Sequence, residues 1–230
     1  LTINTENMNW IKKNWGWVTV TIIGLLPFIE IMSIFSFDFS GTGSWISIET
    51  FTVPGRQPGE LPREVSGAHR AVKETGEWAI RWLVVVLSLT PFSILTRIKP
   101  SLYVRQATGI AAFTYAFLHF LFFCIDRSLI ETFEELGYIL GLTATLIMLV
   151  LAITSNRKSM KFLRNLWKKI HQLAYLASIL AVVHVSLLKH GDWLPYAIVL
   201  TIGFLLRLPF IKNTIGKLKK RKTVAVLQSF

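Results

Sequence analysis

The chain has 230 residues, 52% of them hydrophobic, and its mean hydropathy is +0.50. A soluble domain of this length does not need so much apolar surface to fill its core, so the composition excludes an ordinary soluble protein and predicts an integral membrane protein. The formal net charge of +12 would suggest nucleic acid as a partner of a soluble protein, but here the basic residues lie in alternate connections between hydrophobic stretches, and we expect no nucleic-acid partner.

Six hydrophobic stretches approach the length of about 20 residues that a membrane-spanning helix requires. The first is too long for a secretory signal sequence, and no small-residue cleavage site follows it. Short loops join the later stretches, so we expect an all-α fold in which six transmembrane helices pack as one bundle, with a single membrane domain over residues 1–230. The predicted spans, in chain order, are about 18–37, 78–96, 107–125, 136–154, 167–188 and 194–211.

The longest connection, about residues 38–77, contains the segment VPGRQPGELP. Its prolines and glycines disfavour a regular helix or strand at the centre of the connection. We expect this external loop to cap the bundle or to contact a partner protein. His69 lies in the loop, where a solvated histidine is ordinary.

The distribution of charge predicts the orientation in the membrane. The positive-inside rule places both termini, the basic loops and a basic tail over residues 212–230 in the cytoplasm, and six crossings return the chain to its starting side. A basic tail of this kind is typical of contact with lipid headgroups, so membrane lipid is an expected partner. The basic residues of the inner connections before the tail are Lys12, Lys13, Arg97, Lys99, Arg105, Arg157, Lys158, Lys161, Arg164, Lys168 and Lys169.

Two histidines lie inside predicted spans at matched depth. His119 follows Arg105 of span three by 14 residues and His184 follows Lys169 of span five by 15, which correspond to rises of about 21 and 22 Å. Ionisable side chains at membrane depth are costly and usually mark a site. Imidazoles at one height on two helices are what bis-histidine ligation of haem iron requires. We therefore expect His119 and His184 to be metal ligands of a b-type haem.

His171 is a candidate for a second, inner redox site, such as a second haem. It precedes His184 by 13 residues, about 20 Å along a helix axis. Thirteen residues turn a helix by about 220° net, so a bend is needed if the two rings are to share a face. Span three offers no histidine at this level, so the inner position is half of a site. Arg105, Arg164 and Lys168 would neutralise haem propionates or a flavin phosphate there, or would only anchor the basic loops.

Several segments resemble one known family. They are GLLPF (24–28), TGEWAIRWLVVVLSLTP (75–91), RQATGIAAFTYAFLH (105–119), AITS (152–155) and WKKIHQLAYLASILAVVH (167–184). Together they closely resemble the bacterial MsrQ (YedZ) family of the ferric reductase-like transmembrane superfamily, over most of residues 24–190.

The resemblance implies a six-helix b-type cytochrome of the bacterial inner (cytoplasmic) membrane. It implies that electrons pass to a periplasmic molybdenum methionine sulfoxide reductase, that His119 and His184 ligate haem, and that His171 serves a second haem or a flavin. FMN is a further cofactor that the family implies. The outer loop is longer than the family's, and His69 stands farther from Thr75 and Gly76 than the family's corresponding histidine, so another external acceptor stays open.

The expected function is that of an electron-transfer subunit. Electrons would enter on the cytoplasmic side from a quinol or a separate flavin reductase and leave to an external redox partner. No nucleophile or acid–base pair stands out, so the substrate chemistry would belong to that partner. Two alternatives stay open: a haem-bearing or cofactor-less accessory subunit of another membrane redox complex, and a proton or metal transporter that uses the histidines.

Overall fold

A computed structural model describes residues 5–37, 46–53, 61–127, 129–188 and 193–217, with the side chains of 5–13, Phe37, Ile46 and Arg63 left aside. The described chain is an all-α bundle with short strands at one end. The helices are α1 (Thr5–Met32), α2 (Gly67–Thr96), α3 (Leu102–Asp126), α4 (Leu136–Thr154), α5 (Arg157–Leu163), α6 (Asn165–His171), α7 (Leu173–Leu187), α8 (Trp193–Leu205) and α9 (Pro209–Lys217). The strands are β1 (Phe35–Phe37), β2 (Ile46–Ile48), β3 (Thr50–Val53) and β4 (Arg63–Ser66), and a 3₁₀ turn spans Ile130–Phe133.

Five segments of the described chain are long and apolar enough to cross a membrane. They are Asn14–Met32, Gly67–Thr96, Leu102–Asp126, Leu136–Thr154 and Asn165–Leu187. The all-α membrane bundle is thereby confirmed, and the fourth predicted span coincides with α4. The chain is an integral membrane protein.

The sixth predicted span, 194–211, is not one straight helix. α8 ends at Leu205 after 13 residues, a rise of about 20 Å, and α9 continues at an angle of 71° to it. Pro209 begins α9, and proline has no backbone N–H with which to continue a preceding helix. The described chain therefore has six spans only if this bent pair crosses as one.

The helices differ from the predicted spans at two boundaries. α2 begins at Gly67, so residues 67–77 of the predicted external loop are helical, and the first span ends at Met32 before β1. Ser66 caps α2, because its hydroxyl accepts a hydrogen bond from the backbone N–H of Ala68 at 3.1 Å. The first turns of α2 also carry charged side chains, which a search for apolar runs passes over.

The connection between α1 and α2 contains two antiparallel strand pairs that the sequence did not predict. β1 pairs with β2, with Phe35 opposite Ile48, and β3 pairs with β4, with Phe51 opposite Val65. The proline- and glycine-rich segment lies between β3 and β4, and its centre, 54–60, is outside the described residues, as are His190 and the tail beyond Lys217. Phe35 packs against Phe122 of α3 with ring centres 5.9 Å apart, so the first pair rests on the C-terminal end of α3.

The centre of the core lies between α2 and α3. Ala107, Ala112 and Ala116 of α3 are buried against large α2 side chains such as Trp82 and Leu83. Small residues on one helix allow the backbone of its neighbour to approach closely, which favours packing in a membrane, where apolar burial alone gives little preference. α2 and α3 therefore form a close antiparallel pair.

Tyr115 of α3 ties α1 to this pair through a hydrogen bond of its side chain. The Tyr115 hydroxyl donates to the backbone carbonyl of Gly24. Replacing Tyr115 by phenylalanine should lower the free energy of unfolding by about 1 kcal/mol, the usual net value of such a bond. Thermal unfolding in detergent measures the loss, with Tyr196→Phe on α8 as the matched control. Equal destabilisation by both substitutions would contradict the role of this contact.

Candidate functional site

His119 of α3 and His184 of α7 lie side by side between the two halves of the bundle. Their ring centres are 6.2 Å apart and their ring planes are inclined at 80°. A ligating imidazole nitrogen lies about 2 Å from a transition-metal ion and about 1.1 Å from its own ring centre, so two rings on opposite sides of one ion should have centres about 6 Å apart. Rotation about the metal–nitrogen axis leaves this distance unchanged. The separation of the ring centres is the one that two ligands of one ion would have, and the ligand role of the two histidines stays a prediction.

The tautomer of His119 follows from its neighbour on α2. Its Nδ1 lies 2.8 Å from the backbone carbonyl oxygen of Val72. A carbonyl oxygen only accepts hydrogen bonds, so Nδ1 carries the hydrogen and donates it. In the neutral ring the lone pair is then on Nε2, the nitrogen a metal ion would use.

The same arrangement recurs at His184. Its Nδ1 donates to the backbone carbonyl of Gly137 on α4, at 2.7 Å. The α2–α3 pair and the α4–α7 pair thus each contribute one histidine and one orienting carbonyl. Ligating histidines usually have such a partner, which fixes the orientation of the ring and raises its basicity.

A glycine lies behind each ring. A Cβ atom built on Gly76 would lie 2.8 Å from Nδ1 of His119, and one built on Gly141 would lie 2.8 Å from both Nδ1 and Cε1 of His184. Real Cβ contacts are not this short, so any other residue would displace the ring. Each glycine follows the orienting carbonyl by four residues, one helical turn. A glycine inside an apolar helix usually has a packing reason, which is the signal that sequence reasoning passed over.

A cleft of about 330 Å³ of empty space opens beside the two rings. It is lined mainly by apolar and aromatic side chains, with Thr132 from the 3₁₀ turn between α3 and α4. The hydroxyl oxygen of Thr132 is buried and has no hydrogen-bond partner among the described residues. A haem brings iron, apolar ring edges and carboxylates that accept hydrogen bonds. The Nε2 lone pairs of the two rings, the glycines behind them and the unsatisfied hydroxyl of Thr132 all fit such a group.

His171 is at the end of α6, away from this pair. Its Nδ1 donates to the carbonyl of Trp167 at 3.1 Å, its Nε2 lies 3.3 Å from the hydroxyl of Ser155, and its ring stacks on Trp167 with centres 3.9 Å apart. The regular helix is interrupted at Gln172, between α6 and α7, although Asn165–Leu187 together form one candidate span. The described residues place no second imidazole opposite His171, and its role at an inner site stays a prediction.

The three cations predicted near the inner site do not converge. Arg105 reaches from α3 to the hydroxyl of Thr90 on α2 at 3.4 Å. Arg164 joins α5 to α6 with a positive φ of 47° and an exposed side chain, and Lys168 is exposed on α6. Their roles in binding propionates or a flavin phosphate stay predictions.

Two side-chain contacts join helices at the end of the bundle that carries the short strands, and a further ion pair lies within α2. His69 lies 3.1 Å from Asp126, so it joins the start of α2 to the end of α3. Glu30 of α1 pairs with Arg70 at 3.3 Å across largely exposed side chains, which links α1 to the same end. Arg81 pairs with Glu77 at 2.6 Å, as their spacing predicts.

Comparison with known proteins identifies related sequences. Residues 75–182 match the family model for the ferric reductase like transmembrane component, a range that contains His119 and His171 and stops just before His184. A protein of Agrobacterium fabrum named protein-methionine-sulfoxide reductase heme-binding subunit MsrQ is 32% identical over 155 residues, 64% of this chain and 72% of the relative. A protein of the same name from Xanthomonas campestris pv. campestris is 36% identical over 125 residues, 51% of this chain and 57% of the relative, less than two thirds of its length. No solved structure matches the chain significantly.

Proposed function

We propose that this chain, which belongs to the MsrQ family of ferric reductase-like transmembrane proteins, is a membrane electron-transfer subunit that holds one b-type haem between His119 and His184. The observation that carries the proposal is the separation of 6.2 Å between the two ring centres, with both Nδ1 atoms engaged by backbone carbonyls. A haem iron held in this way supplies a one-electron carrier.

The protein's own residues would set the properties of that carrier. Val72 and Gly137 hold the two rings in one tautomer through their carbonyl oxygens, and hydrogen bonding of this kind strengthens the ligand nitrogens. Phe120 and Phe123 line the cleft and keep water away from the iron. Thr132 offers a hydroxyl donor to an acceptor group in the cleft.

The proposed direction of electron transfer rests on the position of the His119–His184 pair. His184 lies in the last turn of α7 and Gly137 in the first turn of α4, so the site is near the end of the bundle that carries the 3₁₀ turn. The basic loops lie at the other end, which the positive-inside rule places in the cytoplasm together with both termini. In a bacterial inner membrane the haem would therefore deliver electrons outward, from a quinol or a flavin reductase on the cytoplasmic side.

The external acceptor is proposed to be a periplasmic methionine sulfoxide reductase. The relatives from Agrobacterium and Xanthomonas are named as heme-binding subunits of a protein-methionine-sulfoxide reductase, which supports this choice. At the inner end, His171 with the cations Arg164 and Lys168 on α5–α6 forms a candidate surface for FMN or a second haem. With Nδ1 donating to Trp167 and Nε2 accepting from Ser155, His171 has no free nitrogen to ligate a second haem. Arg164 and Lys168 would supply the donors that a flavin phosphate needs.

An absorption spectrum of the purified protein tests the proposal. We expect a Soret band that shifts on reduction with dithionite, together with the visible bands of a b-type haem. A transporter or a cofactor-less accessory subunit would be colourless. A colourless protein, purified from cells supplied with a haem precursor, would reject the electron-transfer function.

A further inference from the structure

Arg207 lies at the bend between α8 and α9, at the end of the bundle away from the two histidines. One guanidinium nitrogen, Nη2, donates to the backbone carbonyl of Leu87 on α2 at 2.5 Å. The guanidinium carbon lies 4.9 Å from the ring centre of Tyr175 and 5.9 Å from that of Phe204. The other two nitrogens, Nε and Nη1, are buried and have no hydrogen-bond partner among the described residues.

Two unmet donors on a permanently charged group are costly, because a buried polar atom without a partner loses its hydration and gains nothing in return. A second positive charge lies close by. Arg105 contacts Thr90, one helical turn from Leu87 on the same helix, so both guanidinium groups face one part of α2. Neither forms an ion pair with a carboxylate of the described residues. This end of the bundle therefore carries two positive charges that a bound anion would neutralise.

The space beside Arg207 indicates which anion. A narrow groove of about 140 Å³ runs between α2 and α8, and its walls are mostly apolar, including Leu87, Val199, Leu200 and Phe204. The groove leaves no room for a flavin or haem ring system. An acyl chain would instead lie along its apolar walls at the surface of the bundle. A cation at one end of an apolar groove is complementary to a phosphate joined to such a chain.

We propose that Arg207 binds the phosphate group of an anionic phospholipid, with Arg105 adding a second positive charge and an acyl chain lying between α2 and α8. Basic pockets between membrane helices on the cytoplasmic side are typical sites for anionic headgroups. After the bend, α9 carries Phe210, which is 80% exposed, and Lys212, which is also exposed, so this helix would lie beside the headgroups. This site is separate from the histidine pair and does not depend on haem.

Native mass spectrometry of the full-length protein in a neutral detergent tests the site, with phosphatidylglycerol as the probe. Arg207→Gln should lower the retained phosphatidylglycerol roughly tenfold, as loss of a charge-assisted contact implies. The matched control is Lys212→Gln, which removes one exposed positive charge at the same end and should retain the lipid like the unmodified chain. Phosphatidylcholine and free glycerol phosphate are compared at the same concentration, and neither should replace phosphatidylglycerol.

Three results would overturn the proposal. One is unchanged retention by Arg207→Gln, and another is an equal fall in Lys212→Gln, which would indicate general attraction to basic charge. The third is displacement of the lipid by glycerol phosphate, which would identify a soluble phosphate as the ligand. If Arg207→Gln fails to fold, Arg207→Lys keeps the charge but removes the guanidinium donors. Retention at the unmodified level by a folded Arg207→Lys protein would also overturn the proposal.

Discussion

Replacing His119 or His184 by alanine should remove the haem from the purified protein, whereas replacing His171 should leave its Soret band in place. Each of the first two substitutions takes away one of the two imidazoles whose ring centres lie 6.2 Å apart. The loss of bound haem should exceed tenfold, because even partners that only orient a ligand cost about 10–100-fold in metal affinity. The measurement is the ratio of haem to protein after purification, together with the spectrum of the reduced form.

His171→Ala is the matched control because it removes the same side chain from the same membrane segment. His171 contacts Trp167 and Ser155 and lies at the C-terminal end of α6, away from the His119–His184 pair. Thermal unfolding of each apoprotein separates loss of haem from loss of fold. Equal loss of haem in all three variants would contradict the assignment of the outer site, and so would full retention in His119→Ala.

The matched level of the two histidines, whose rings lie 6.2 Å apart, could be predicted from the sequence because it depends only on helix rise and on where the basic loops end. The spans were readable for a related reason, since hydropathy reports a long apolar run wherever it occurs. Hydropathy did not locate the start of α2, where charged Arg70 and Lys73 interrupt the apolar run although Ser66 has already capped the helix. It also failed for β1 and β2, which have three residues each, too few to display an alternating pattern.

The hydrogen-bond partners of the two histidines could not be predicted from the sequence. Val72 and Gly137 act through backbone carbonyls, which every residue has, so no residue type marks them. Gly76 and Gly141 are visible in the sequence, but their purpose depends on which helix faces which. Arg207 lies within the predicted sixth span, and its unmet donors arise only where that span bends and meets α2. In each case the sequence does not show which helices pack against each other.

Gly141→Ala should weaken haem binding by about 10–100-fold, although it changes no ligand. The added methyl group would lie 2.8 Å from both Nδ1 and Cε1 of His184, so the ring must move and its bond to the Gly137 carbonyl must lengthen. Gly76→Ala should act in the same way on His119, since its methyl group would lie 2.8 Å from Nδ1 and 2.9 Å from Cε1. Haem titration of each apoprotein, followed at the Soret band, measures the affinity.

Gly109→Ala is the matched control for both substitutions. Gly109 lies on α3 with His119, but a methyl group there would have Val86 as its nearest neighbour, at 4.0 Å, which is an ordinary contact. Alanine favours a helix over glycine by up to about 1 kcal/mol, so none of the three substitutions should weaken its own helix. A loss of haem confined to Gly76→Ala and Gly141→Ala would therefore report displacement of the rings. Wild-type haem affinity in both Gly76→Ala and Gly141→Ala would mean that the rings do not need a glycine behind them. An equal loss in Gly109→Ala would mean that the effect is not specific to the site.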